Sequence, residues 1–145
     1  MAGGADKLYE KFLELVAGNP SVDVEIGDGI ASVKKSGCHG FCEMGPLVRI
    51  EPYNYLYLKV QLDDCEEIYK ETVLKGKKVD RLLYHLDGVM YPSQEEIPFY
   101  AKQTRLVLKN CGHIDAEHIN DAVAVGAYEA IEKALFEMTP EHIIQ

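Results

Sequence analysis

The run from Gly37 to Pro46 constrains this chain more than any other part of it. Two cysteines, Cys38 and Cys42, lie four residues apart there, in a segment that also holds three glycines and a proline. Closely spaced thiols on a backbone that is free to bend are what a thiolate-bound metal or an iron–sulfur centre needs. Such centres take about four protein ligands, and the sequence has no second close pair of cysteines. The run therefore predicts half of a metal site.

Composition and charge narrow the classes of protein to consider. The chain has 145 residues, of which 47% are hydrophobic and 27% charged, as expected for one globular core with or without an appendage. Its formal charge is −9, and the only basic cluster is the run from Lys75 to Lys78. Nucleic-acid sites need concentrated basic residues, so no nucleic-acid partner is predicted. An acidic surface instead fits protein partners or diffusible redox carriers.

No apolar run approaches the roughly 20 residues that span a bilayer, so no membrane insertion is predicted. No basic-then-apolar signal opens the chain, and the predicted location is the cytoplasm. There the four thiols would stay reduced rather than form a disulfide framework. They belong to Cys38, Cys42, Cys65 and Cys111.

Hydrophobic periodicity predicts an α-β-β-β arrangement at the start. A helix is expected from an N-cap at Asp6 to a stop at Gly18. The alternation over 22–26 predicts a half-buried strand. Two further extended runs, Leu47–Ile50 and Tyr55–Leu62, are separated by four turn-forming residues and predict a hairpin.

A second helix completes this first unit. Asp63 and Glu66 have the spacing of a capping box, and Gly76 supplies a C-terminal stop. Cys65 falls on the apolar stripe of this helix, where a small buried hydrophobic residue is expected. The fold class is therefore α/β.

The composition changes after the first unit. We predict a first domain over 1–86, a polar linker over 87–96, and a mostly helical second segment over 97–145. A helix is expected from Asp115 to about Met138, with a break at Gly126.

The two ends suggest missing neighbours. Thr139 and Pro140 are strong helix-start signals with few residues after them, and a helix of about one turn is unstable alone. The first unit also begins on a helix with no preceding strand to pack against. The sequence is therefore expected to be a fragment whose first strand is missing.

Three stretches together resemble a known family. Ser36–Val48 resembles the second cluster-binding loop of thioredoxin-like [2Fe–2S] ferredoxin domains, in the version fused to an NADH-binding flavoprotein subunit. That subunit occurs in complex I-type NADH dehydrogenases and in NAD(P)-linked and electron-bifurcating [FeFe] hydrogenases. Ile97–Arg105 and Leu108–Asp115 resemble the opening segment of the flavoprotein core, and Gly126–Ala130 with Met138–Glu141 continues the match.

The resemblance implies a fold, a cofactor and partners. The fold would be a thioredoxin-like ferredoxin domain that lacks its first strand, followed by a mostly helical segment. Cys38 and Cys42 would hold one iron of a [2Fe–2S] cluster that carries one electron at a time. The family's other cysteine pair would lie on the missing strand. FMN, NAD and [4Fe–4S] sites are expected only in the full-length parent, together with the other subunits of an oxidoreductase or hydrogenase complex.

Several alternatives stay open at this stage. The chain could be a docking module for partner subunits without a cluster, or a small zinc-binding domain, and whether it is itself an enzyme is undecided because the FMN and NADH sites are absent from it. His39 is expected to be a solvated loop residue, and Cys111 a packed turn residue. Three tyrosines are expected on the outer face of the sheet or in a subunit contact: Tyr53, Tyr55 and Tyr57.

Overall fold

The computed structural model describes residues 4–18, 33–36, 39–115 and 117–144. These residues contain both helices and strands, so the predicted α/β class is confirmed. In chain order the elements are α1 (Ala5–Ala17), a 3-10 turn (Cys42–Met44), β1 (Val48–Ile50), β2 (Tyr55–Tyr57), α2 (Asp64–Glu67) continued by a π-helical stretch (Ile68–Val73), a 3-10 turn (Asp80–Leu82), β3 (Tyr84–Leu86), β4 (Val89–Tyr91), α3 (Pro98–Ala101), α4 (Ile119–Ala124), α5 (Glu129–Glu137) and α6 (Pro140–Ile144).

Helix α1 starts slightly earlier than predicted. Gly4, with a φ of 80°, is the N-cap residue, and Asp6 lies in the first turn, where its carboxylate interacts favourably with the helix dipole. Leu8 and Phe12, which lie on one face of the helix, are buried. The helix ends at Gly18, as expected from the sequence. The strand predicted over 22–26 lies outside the described residues.

The predicted hairpin forms, with a shorter second strand. β1 and β2 pair antiparallel, with Val48 opposite Tyr57 and Ile50 opposite Tyr55. β2 stops at Tyr57 rather than Leu62, because Lys59 adopts a left-handed φ of 51° that an extended strand does not accommodate.

β2 is buried on both faces, which corrects the prediction for Tyr57. Leu56 and Tyr57 are both 0% exposed, and they belong to two different hydrophobic clusters because successive strand residues point to opposite sides. The phenol of Tyr57 tolerates burial because Val79 N–H donates to its oxygen over 3.1 Å and it bonds to Thr72 Oγ1 over 2.6 Å. Tyr53 is 43% exposed, in keeping with the prediction.

The second helix forms, but without the predicted capping box. Asp63 is the N-cap residue but its side chain makes no capping hydrogen bond. The carboxylate of Asp64 instead accepts from Gln61 N–H over 2.7 Å. Gly76 has a φ of 67° and ends the helical region as predicted. Cys65 is fully buried, as expected, and burial raises the pKa of its thiol.

Residues 84–91 form a second hairpin that the sequence analysis missed. β3 and β4 are joined by Asp87 and Gly88, both with positive φ, which suits a two-residue hairpin turn. Asp87-Gly88 is a strong hairpin signal, although it falls at the start of the polar linker predicted over 87–96. Gln94, within the same stretch, is buried. The domain boundaries themselves stay a prediction.

Two hydrophobic clusters organise the interior. The first packs α1 against β2, α2 and the segment 79–83, and its largest fully buried member is Tyr57. The second joins Leu56 and Leu58 to Ile97 and Tyr100. Phe41 packs against this second cluster. The cysteine loop is therefore held against the segment that follows the second hairpin.

The C-terminal part is helical and largely exposed. α4 begins at Ile119, four residues after the predicted start, and Gly126, with a φ of 87°, separates it from α5 as expected. α6 starts at Pro140, immediately after Thr139, as the start signals predicted. None of the helices in the described ranges is long and apolar enough to cross a bilayer.

Replacing Tyr57 with Phe is expected to lower the free energy of unfolding by about 1–3 kcal/mol, because Val79 N–H loses its buried acceptor. Urea denaturation followed by circular dichroism measures this change. Tyr53→Phe is the matched control at a half-exposed site and should stay within about 0.5 kcal/mol of the wild type. Equal values for the two variants would contradict the buried role of Tyr57.

Candidate metal centre

Cys42 begins a single 3-10 turn on the surface. The turn covers Cys42–Met44, and the Cys42 residue is exposed. Gly40 precedes it with a φ of 78°, a left-handed conformation that favours glycine. Cys38, the other predicted ligand, lies outside the described residues. The structure therefore locates one of the two predicted thiols and the backbone on its C-terminal side.

Backbone hydrogen bonds fix the exit of this loop. Lys59 N–H donates to Met44 O over 2.9 Å, and Val60 N–H donates to Pro46 O over 3.2 Å. Both donors follow β2 directly. The turn that carries Cys42 is therefore tied to the first hairpin.

His39 is buried, which corrects the prediction that it is solvated. It is 7% exposed, and both ring nitrogens have partners. Nδ1 lies 2.7 Å from Gln94 Oε1, and Nε2 lies 3.2 Å from Ser36 Oγ. Paired ring nitrogens remove most of the cost of burying an imidazole. No sequence pattern connects His39 to Gln94, because Gln94 is 55 residues away in a stretch with linker composition.

The environment of His39 favours its neutral form. Burial lowers the pKa of His39, and the charges of Arg49, Arg105 and His113 lower it further, while the hydrogen bond with Gln94 opposes them. Since an amide oxygen only accepts, the geometry places the proton on Nδ1, where it is donated to Gln94. Nε2 then accepts from the Ser36 hydroxyl.

The segment after the second hairpin closes over His39. Tyr100 Oη donates to His39 O over 3.0 Å. Gly112, with a φ of 91°, lies so close that a Cβ there would be 2.4 Å from His39 Cε1, so only glycine fits. We call this set of contacts, made by Ser36, His39, Gln94, Tyr100 and Gly112, the His39 clasp.

An aromatic contact extends the His39 clasp along the loop. The ring of Phe41, next to Cys42, stacks on Phe99 at a centroid distance of 5.1 Å. It also meets Tyr100 edge-on at 5.5 Å. These contacts involve α3, whose start at Pro98 places both rings beside the loop.

The N-terminal side of the loop meets the same region. Ser36 forms an isolated antiparallel bridge with Asp115. Lys34 Nζ lies 2.6 Å from Asp121 Oδ2, which also accepts from Asp115 N–H over 3.0 Å. Exposed ion pairs contribute little by themselves. Both ends of the cysteine loop are thus attached to folded structure.

The remaining cysteines are placed as predicted. Cys65 is in the first hydrophobic cluster, and Cys111 is half-buried in a turn. Among the described residues, no three His, Cys, Asp or Glu side chains converge as a metal site. Ligation by Cys38 and Cys42 stays a prediction, because only Cys42 lies among the described residues. Two soft thiolates fit one iron of a [2Fe–2S] cluster.

The chain is similar in sequence to [2Fe–2S] ferredoxins and to a hydrogenase subunit. No protein-family model matches the chain. A "Ferredoxin, 2Fe-2S" of Clostridium pasteurianum is 40% identical over 50 residues, which is 34% of this chain and 49% of that protein. The "NADP-reducing hydrogenase subunit HndC" of Solidesulfovibrio fructosivorans is 44% identical over 43 residues, which is 30% of this chain and 9% of the subunit.

A solved structure adds a more distant similarity. A thioredoxin-like [2Fe–2S] ferredoxin from Aquifex aeolicus is 26% identical, with 55% of this chain and 67% of that chain covered and a TM-score of 0.49. The chain spans about half the length of the Clostridium ferredoxin, at 49%. The predicted resemblance to [2Fe–2S] ferredoxins and to a hydrogenase subunit is confirmed.

His39→Ala is expected to release the cysteine loop and the segment around Tyr100 together. Loss of the buried ring removes its hydrogen bonds with Gln94 Oε1 and Ser36 Oγ, and we expect amide hydrogen exchange in 39–45 and 94–101 to accelerate about tenfold. Exchange followed by mass spectrometry measures both segments. His142→Ala, on the exposed face of α6, should leave them unchanged. Acceleration confined to the loop, or absent from both, would contradict the clasp.

Proposed function

We propose that this chain is a ferredoxin-like electron-transfer domain in which Cys38 and Cys42 hold one iron of a [2Fe–2S] cluster. The observation that carries the proposal is the loop itself, in which an exposed thiol sits on a tight turn whose two sides are attached to folded structure. The similarity to [2Fe–2S] ferredoxins supports the same cofactor. When bound, the cluster supplies one-electron redox chemistry.

The residues of the chain do three things for such a ligand. The 3-10 turn leaves Cys42 accessible at the surface, while Gly40 adds no side chain beside it. Within the turn, Met44 N–H donates to Phe41 O over 2.9 Å and Gly45 N–H donates to Cys42 O over 3.2 Å, which fixes the backbone at Cys42. The His39 clasp and the ring of Phe41 hold the part of the loop that precedes Cys42 against α3, so Cys42 is kept in place before a metal arrives.

The ligand set is incomplete within this sequence. A [2Fe–2S] cluster takes four thiolates, and Cys65 is fully buried in the core. We therefore propose that Cys38 and Cys42 form one half of the site and that the other thiolates come from elsewhere in the parent protein. In that parent, FMN, NAD and [4Fe–4S] would complete an NADH-linked cytoplasmic oxidoreductase or hydrogenase with partner subunits. The chain itself would pass electrons and not oxidise NADH.

A second candidate is a docking module without a cluster. It is favoured by the exposed apolar residues of the C-terminal helices, where Phe136 is 82% exposed and Ile144 is 85% exposed. Surfaces of this kind mark protein–protein contacts. The two functions are compatible in a subunit that carries a cluster, and they differ in the requirement for the thiols.

Anaerobic reconstitution with iron, sulfide and a small monothiol tests the proposal. The monothiol supplies the two thiolate ligands that this chain does not provide. We expect bound iron and sulfide, a visible spectrum that changes on reduction, and an EPR signal. Loss of a residue that only hydrogen-bonds to a metal ligand costs about 10–100-fold in metal affinity. Loss of a ligand should cost at least as much, so Cys38→Ser and Cys42→Ser should each reduce bound iron at least about tenfold.

Cys111→Ser is the matched control, since Cys111 is a half-buried turn residue outside the cysteine loop. It should retain the iron and the spectrum. Stoichiometric zinc without sulfide would identify a zinc domain instead. Absence of any metal in the wild-type chain would favour the docking module.

A further inference from the structure

A cavity of about 340 Å³ lies beside the His39 clasp. It shares Gln94 and Tyr100 with the clasp, and α3 and the segment that follows it form its other walls. Its volume falls in the range of about 300–1,000 Å³ that is typical of small-molecule sites. The lining is unusually polar for such a site.

The cavity is positively charged although the whole chain carries −9. Arg105, Lys109 and His113 line it, against a single acidic residue, Glu95. Glu95 is already occupied by other partners: Asn54 Nδ2 donates to it over 2.8 Å and Arg49 Nη1 lies 3.7 Å from it. Glu95 therefore offsets at most one of the two cations Arg105 and Lys109, and the cavity keeps an excess of positive charge.

These basic side chains lack acidic partners in the described part of the chain. None of Arg105, Lys109 and His113 forms an ion pair there. Arg105 Nη1 has only a long contact of 3.5 Å with Cys111 O. Arg105 Nη2 is buried and has no hydrogen-bond partner among the described residues. A buried guanidinium N–H without an acceptor is costly, so the position is suited to an acceptor from a ligand.

We propose that this cavity binds the phosphate group of a small ligand. The planar fork of Arg105 matches two oxygens of an oxyanion, and Lys109 supplies a further cation. Phosphate carries more charge and more acceptor oxygens than a carboxylate, which suits the two cations Arg105 and Lys109 better. Gln94 and Gln103 also line the cavity, and Gln103 Nε2 donates to Phe99 O over 3.0 Å. The site requires no iron and is independent of the proposed electron transfer.

The test is a titration of the ¹⁵N-labelled chain with inorganic phosphate, followed by NMR and calorimetry. We expect saturable shifts at Arg105 and His113, and a 10- to 100-fold loss of affinity in Arg105→Gln, since bonds to charged groups are strong. Arg105→Lys keeps the charge but loses the fork, and should bind with intermediate affinity. Lys102→Gln removes the same charge at an exposed position outside the cavity, and should bind phosphate within twofold of the wild type.

Sodium chloride at matched ionic strength and sodium acetate complete the design. Non-saturable shifts, or equal responses to chloride and phosphate, would overturn the site as non-specific screening. Equal weakening by Arg105→Gln and Lys102→Gln would do the same. Acetate binding as tight as phosphate would overturn the assignment to phosphate. Thermal unfolding of each variant confirms that a loss of binding does not come from loss of the fold.

Discussion

The buried imidazole of His39 is the contact on which the functional part of this molecule depends. Its ring joins Ser36 to Gln94, its carbonyl accepts from Tyr100, and Gly112 packs against its edge. A buried polar group stabilises a structure only when all its hydrogen-bond partners are present. Loss of one partner leaves a buried polar atom unpaired, which costs free energy. The cysteine loop is therefore coupled to a segment that lies more than 50 residues later in the sequence.

This coupling gives the loop a definite place in the fold. The first hairpin fixes the exit of the loop through Met44 and Pro46, while the second hydrophobic cluster holds Phe41 beside Tyr100. Metal ligands bind best when the surrounding shell already holds them near their final geometry. The cationic cavity lies beside the His39 clasp, so the cavity and the clasp share Gln94 and Tyr100.

Sequence patterns were informative where the physics is local. The start signal at Pro140, the break at Gly126 and the turn between β1 and β2 follow from backbone preferences of single residues, and all three are observed. Errors arose where distant residues decide the environment. The hydroxyl of Tyr57 can be buried because it hydrogen-bonds to Thr72 and to Val79 N–H. Hydrophobic periodicity does not predict partners that lie so far along the sequence.

The candidate site shows the same limit. The spacing of Cys38 and Cys42 indicated thiolate chemistry, but the burial of His39 depends on Gln94, which no local pattern connects to the loop. Mössbauer spectroscopy of the ⁵⁷Fe-reconstituted chain, with a monothiol present, tests the half-site most directly. The wild-type chain is expected to show the spectrum of a bound cluster, and the Cys42→Ser variant, which should bind at least about tenfold less iron, should lose most of it. Identical spectra for the wild type and the Cys42→Ser variant would contradict ligation by this loop.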